Sequence, residues 1–490
     1  MGNLFTSALL VVSMRWIDRL LGITSTLVLA RLLMPADFGI VAMASVVVGL
    51  IDVLLDLGVI PLLVQKKDCD DEDFSNGWSL RVLQCLLVST LIAVTSPLAA
   101  DFYHDGRVAP VLQLMALGIL VSGFENIGVV NFQKEMLFRK DFQFFFLRRF
   151  TGFAATLVFA LTLESYWALP LGALAGRIGG VAISYAMHPF RPRFTLSRLR
   201  QFWSFSQWML LLNSGEYFAM RLDKFLVGHR ADAAAVGAYS LADEISVMPT
   251  SELLMPIGRV LFPAFVKVRE RPAELQYAYL LALAVQAMIA IPAAVGLASI
   301  AHDAVALLLG EHWMSAVPFV QVLALVYGLN AFSHGASYLL LTLGRVRIMA
   351  IAIWTQILVL GLGAITFLAD AQALQLAQWR LAVSVLYTLA FVILVLREVP
   401  TLRAREMLAV VWRPFVAAGA MAYLLSLLAL EGWPLLAAIG TRIATGAAVY
   451  ALALLALWNL AGRPRGAETY LLEKLAFVLR RPVAAVKPTD

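Results

Sequence analysis

From residue 4 to residue 460 the chain reads as apolar runs, most of them 20 residues or longer, separated by short polar breaks. The runs lie near 4–33, 38–64, 78–99, 108–130, 142–163, 167–187, 202–228, 236–261, 277–300, 316–343, 348–368, 376–396, 414–430 and 435–460. A helix needs about 20 residues to cross a hydrocarbon layer about 30 Å thick. The pattern therefore predicts an all-α polytopic membrane protein with about fourteen transmembrane helices. After the last run, AETYLLEKLAFVLRR places Tyr470, Leu471, Leu475, Val478 and Leu479 on one helical face and charge on the other. A cytoplasmic amphipathic tail over 463–490, lying against anionic lipid, is expected.

Charge fixes the predicted orientation. Lys66 and Lys67; Lys134, Arg139 and Lys140; Arg191, Arg193, Arg198 and Arg200; Lys267, Arg269 and Arg271; Arg345 and Arg347; and Arg397, Arg403 and Arg405 all fall in even-numbered connections. The odd-numbered connections hold chiefly Arg107 and Arg230. Because Lys and Arg stay on the cytoplasmic side, this alternation puts both termini in the cytoplasm and the odd-numbered connections outside.

Composition agrees with this class: 490 residues are 61% hydrophobic and 14% charged, with a mean hydropathy of +0.82. The net charge of +6 is dispersed through membrane loops, so nucleic acid is not expected as a partner. The first run is too long, and too interrupted by Arg15, Asp18 and Arg19, for a cleavable signal. Two cysteines, Cys69 and Cys85, exclude a disulfide framework, and the six His have no metal-ligand spacing. No GxxxxGK[ST] loop appears, so no cofactor, metal or bound ATP is expected.

The chain begins twice. A shift of 198 positions lays Asp18 on Glu216, Ala36 on Ala234 and Gly39 on Gly237, and both segments carry ionisable groups inside an apolar helix. An intramembrane charge costs about 3 kcal/mol on insertion scales, so it faces a bundle interior or a wet cavity. Such groups crowd the first eight runs, while runs eleven to fourteen hold almost none away from their ends. Arg15 and Arg19 share a face at i and i+4, a fork suited to diphosphate oxygens, with ion pairing to Asp18 as the plainer reading. Arg177, among glycines in LGALAGRIGG, is a further lumen cation, and Arg221 lies in the repeated segment. Arg81 and Arg259, near run ends, are expected to snorkel, as is at least one of Arg148 and Arg149. Asn213 and Glu216 suit sugar hydroxyls. Asp18, Asp52, Asp56 and Asp223 are candidates for a coupling proton or Na⁺, with pairing to a neighbouring Arg as the alternative.

Three stretches resemble a known family: LARLLMPADFGIVAMASVVVGLIDVLLDLGVIPLLVQKKDCDDEDFSNGW; NFQKEMLFRKDFQ; and DKFLVGHRADAAAVGAYSLADEISVMPTSELLMPIGRVLFPAF. They are similar to polysaccharide transporters of the multidrug/oligosaccharidyl-lipid/polysaccharide exporter superfamily. The resemblance implies two pseudo-symmetric six-helix bundles around a central cavity, at 1–200 and 201–400, with two additional transmembrane helices over 401–462. It also implies a bacterial inner-membrane flippase that moves undecaprenyl-diphosphate-linked oligosaccharide by alternating access for exopolysaccharide or lipopolysaccharide synthesis. Membrane lipids, a polymerase and a chain-length regulator would be its partners, and it would not be an enzyme. Two alternatives remain. A cation-coupled drug antiporter requires an acidic, aromatic lumen. A membrane glycosyltransferase or polymerase requires a large outer loop with carboxylates, and the longest candidate, 302–314, offers only Asp303, Glu311 and two His.

Overall fold

A computed structural model describes residues 17, 19–54, 59–60, 63, 69–135, 137–198, 215, 217–218, 220–366, 372–430, 432–464 and 466–469. Every regular element among them is helical. The longer ones are α1 Pro35–Leu54, α2 Asp71–Tyr103, α3 Val108–Gly123, α4 Val130–Lys134, α5 Phe138–Leu163, α6 Ala168–Met187 and α7 Ala233–Val268. They continue with α8 Pro272–Ser299, α9 Ala301–Leu308, α10 Val317–Thr342, α11 Val346–Thr366, α12 Ala373–Glu398, α13 Ala404–Leu427 and α14 Leu435–Leu460. Residues 19–32 and 220–230 are also helical and are the described parts of runs one and seven.

Ten helices among the described residues are long and apolar enough to cross a membrane, and α3 with its bent continuation makes an eleventh. The 36-residue α7 is long enough but is not among them, since it carries Asp243, Glu244, Glu252 and Arg259. The run at 108–130 is not one straight span. It breaks after Gly123 and bends by 68°. Asn126 holds the break: its Oδ1 accepts from the Gly128 N–H at 2.9 Å, its amide donates to the carbonyls of His188 at 3.2 Å and Phe190 at 2.7 Å, and its N–H donates to Ser184 Oγ at 2.9 Å. The end of α6 thus satisfies the polar groups that the broken helix exposes.

The chain divides into two compact units. The first comprises Met1–Ser240, Leu308–Ser315 and Leu360–Leu376; the second comprises Leu241–Leu307, Ala316–Val359 and Ala377–Asp490. In the first, glycines set the closest packing. A methyl group on Gly172 would stand 2.6 Å from Thr156 Cα, and one on Gly176 would stand 2.8 Å from Gly152 Cα. Lipid is as apolar as a helix face, so spans associate through close van der Waals fit, which these glycines permit between α5 and α6. The second unit has a large apolar core built on Phe265, Tyr279, Leu283, Leu339, Phe391 and Val395.

A polar strap finishes the first unit. Asp70 caps α2 in a reciprocal capping box with Asp73. Arg198, after the sixth span, reaches Asp70 at 2.8 Å, Glu72 at 2.8 Å and Asp73 at 2.7 Å, while its N–H donates to Asn76 at 2.9 Å. The Arg198 guanidinium holds the Asp70 carboxyl down at about 2. Burial pushes the His188 imidazole below its usual value, which suits its Nδ1 as acceptor for the Phe190 N–H at 3.2 Å.

Candidate functional site

In the first unit the ionisable groups gather around the break in α3. Glu125 sits at the break, 6% exposed, because Asn126 turns the chain immediately after it. Arg148 of α5 reaches it at 3.2 Å and Arg81 of α2 at 3.7 Å. Arg81 does not snorkel: its side chain is 18% exposed and turned to Glu125. A fourth helix adds Arg177, which packs against Gly118 of α3 and donates to the Met115 carbonyl at 3.4 Å. Asp52 of α1 acts electrostatically on Arg177. Among the described residues these five groups comprise three guanidiniums and two carboxylates. Guanidinium forks of this kind bind phosphate oxygens in pairs.

The second unit holds a different cluster. Asp243 of α7 accepts hydrogen bonds from Tyr327 of α10 and, at 3.0 Å, from Arg380 of α12. Arg380 also lies over the Tyr327 ring, 5.4 Å from its centroid. The side chains of Arg380 and Asp243 are 13% and 12% exposed. The Asp243–Arg380 ion pair and the Tyr327 hydroxyl tie three helices together.

The residues read from the sequence are distributed unevenly. Arg177 and Asp52 belong to the first cluster. Asp223 is buried and accepts from Tyr239 O–H at 2.6 Å. Arg19 is half-buried and Arg221 is exposed on its helix. Arg15, Asp18, Asp56, Asn213 and Glu216 lie outside the described residues. Sequence reasoning did not single out Glu125 as a hub or Arg380 as a partner of Asp243. The signal for Glu125 was the polar phrase Phe124-Glu125-Asn126 inside an apolar run; Arg380 stands near the start of its span, and no signal there pointed to Asp243.

The described residues form a polytopic helical bundle with charged clusters inside its apolar elements, and a solved structure shares this fold. "Lipid II flippase MurJ, inward closed conformation" superposes with a TM-score of 0.73 over 93% of this chain and 100% of that one, at 13% identity. The fold is therefore shared. The chain belongs to the family described as "Polysaccharide biosynthesis protein", which matches residues 28–318, more than half its length. It is 27% identical over 336 residues to the "Lipopolysaccharide biosynthesis protein WzxC" of Escherichia coli (strain K12), covering 67% of this chain and 68% of that protein. It is 25% identical over 305 residues to the "Succinoglycan biosynthesis transport protein ExoT" of Rhizobium meliloti (strain 1021), covering 62% of each chain.

Proposed function

We propose that this protein is a flippase that moves undecaprenyl-diphosphate-linked oligosaccharide repeat units across the bacterial inner membrane, for exopolysaccharide or lipopolysaccharide synthesis. The observation that carries the reading is the pair of guanidiniums, Arg81 and Arg148, on Glu125, with Arg177 against the preceding turns of α3, in a chain that belongs to a polysaccharide biosynthesis family. A diphosphate is the anionic part of such a lipid, and a guanidinium cluster at membrane depth lowers the cost of bringing it in from water. Arg15, Arg19 and Arg221 are further candidates for holding the diphosphate, and Asn213 and Glu216 for binding sugar hydroxyls, with Arg15, Asn213 and Glu216 outside the described residues.

Movement is by alternating access between two repeat-related halves. Asp18, Asp52, Asp56 and Asp223 are the candidates for coupling it to a proton or Na⁺. The Lys and Arg asymmetry supports cytoplasmic termini. No bond is made or broken, so the protein is not an enzyme; a polymerase and a chain-length regulator act on the delivered unit. A drug antiporter is disfavoured by the mixed charge of the described cluster, because a cationic drug requires an acidic wall. Deleting the gene tests the reading: lipid-linked repeat units accumulate on the cytoplasmic leaflet and surface polysaccharide is lost. Unchanged polymer with altered drug resistance would overturn it.

A further inference from the structure

One face of α2 changes character along its length. Asn76, Ser79, Leu83, Leu87, Val94 and Leu98 follow at steps of three, four or seven residues, so they lie on one side of the helix. From Leu83 onward that side is open: Leu83, Leu87, Val94 and Leu98 are 37%, 56%, 69% and 67% exposed. An open apolar stripe on a membrane span faces acyl chains, which are as apolar as leucine. Asn76 and Ser79 continue the same stripe, yet both are fully buried.

What covers them is the strap that follows α6, which has no regular structure over 188–196. Ser79 Oγ accepts from the Thr195 N–H at 2.9 Å, Asn76 donates to Ser197 Oγ at 3.1 Å, and the Ser197 hydroxyl donates to Glu72 at 2.6 Å. The strap therefore stands between α2 and lipid. The apolar run of α2 opens at Trp78, so Ser79 marks the border between hydrocarbon and headgroups, and the outer edge of the strap lies at that depth.

Four side chains occupy this edge. Phe194 is 60% exposed and Leu196 38%, and Arg191 and Arg193 are exposed beside them. Arg191 is held in place: its guanidinium donates to the carbonyls of His188 and Phe190 at 2.9 Å and of Tyr185 at 3.4 Å, and lies over the Tyr185 ring, 5.4 Å from its centroid. Three of its five N–H groups are used there and two remain. Asp70, Glu72 and Asp73 are engaged by Arg198, and among the described residues neither Arg191 nor Arg193 pairs with a carboxylate.

We propose that this edge is a binding site for anionic phospholipid of the cytoplasmic leaflet, with Arg191 and Arg193 on the headgroup phosphate and Phe194 and Leu196 against the upper acyl chain. The concentration of Lys and Arg in even-numbered connections supports that leaflet. A zwitterionic lipid fits the apolar half of the edge but brings no net charge to the two guanidiniums. Bound lipid presses the strap onto α2, so it stabilises the first unit.

The test uses the full chain with Cys69 and Cys85 replaced and Phe194→Cys carrying a bimane fluorophore, the bimane standing in for the ring. The chain is placed in phosphatidylcholine vesicles that contain the same minor fraction of either brominated phosphatidylglycerol or brominated phosphatidylcholine, since bromine quenches only from contact range. Brominated phosphatidylglycerol is expected to quench about twofold or more strongly than brominated phosphatidylcholine, and the two are expected to quench alike after Arg191→Gln with Arg193→Gln. A fluorophore at Leu98→Cys, on the bare stripe, should report no preference. Equal quenching at position 194 means unselective lipid, no quenching means an edge that does not meet the bilayer, and a preference that survives the double substitution has another source; each overturns the proposal. Unlabelled protein gives a second readout should the labelled variants misfold: phosphatidylglycerol added to detergent micelles is expected to raise the melting temperature of the parent more than that of Arg191→Gln with Arg193→Gln, and an equal rise overturns the site. None of these measurements involves cargo, so failure of the flippase reading leaves them untouched.

Discussion

Arg413 and Glu468 form an ion pair whose removal has a calculable outcome. Their side chains are 5% and 4% exposed, with Arg413 Nε donating to Glu468 Oε1 at 2.8 Å. Arg413 also donates to the Ala409 carbonyl at 3.0 Å, whereas Glu468 Oε2 has no hydrogen-bond partner among the described residues. The pair fastens the first turn of the tail to α13. Arg413→Met leaves a buried carboxylate alone, and Glu468→Leu leaves a buried guanidinium; each is expected to cost about 3–5 kcal/mol. Removing both charges also removes both desolvation penalties. The double variant Arg413→Met with Glu468→Leu is therefore expected within about 1 kcal/mol of the parent, or above it. Denaturant unfolding of the purified protein in detergent, run as a double-mutant cycle, measures the coupling. Limited proteolysis reports whether the tail has come away. Single variants that each cost less than about 1 kcal/mol, and that add in the double, would refute the reasoning, because a desolvated pair cannot lose one partner cheaply.

Three further outcomes are expected. Arg81→Ala with Arg148→Ala, or Arg177→Ala alone, should cut flipping of lipid-linked repeat units tenfold or more while membrane expression persists; Arg15→Ala with Arg19→Ala should do the same, and a collapse of expression would make their role structural. Gly172→Leu or Gly176→Leu should lower the melting temperature by overfilling the α5–α6 contact, at a cost of about 1–3 kcal/mol or more, while Gly440→Ala, with open space around it, should not. Because Asp70 titrates near 2 when folded against 3.8 ordinarily, its contribution is complete above the ordinary value and is lost as pH falls through about 2; hydrogen exchange over 188–198 should therefore accelerate across that window, and Asp70→Asn should accelerate it already at pH 7.

Much of the fold was legible because a bilayer makes one demand on sequence: each crossing must be apolar for its whole length. Most of the described helices fall where the apolar runs fall, α9 in a connection excepted, and the glycines before Arg177 prove to make a close helix contact, at Gly172 and Gly176. The break in α3 was not legible. Gly123 and Asn126 permit a bend, but whether the chain bends depends on Ser184, His188 and Phe190 arriving from α6 to satisfy the opened backbone. Arg81 shows the same limit. Its place near a span end suggests snorkelling, and only the position of Glu125, 44 residues onward, turns it inward.

The sequence by itself determined that the protein spans a membrane many times, where its charges are concentrated, and that its two beginnings share a register of 198 residues. Hydrophobic length, charge and repetition are properties of the chain taken in order, so they can be read in order. Only the tertiary structure decided which charges meet: Glu125 with Arg148, Asp243 with Arg380, Arg413 with Glu468. It alone also set Gly39 against Ala233 and Gly237 against Pro35. A pairing between residues on different helices is selected by how the helices pack, and helical periodicity carries no information beyond its own helix.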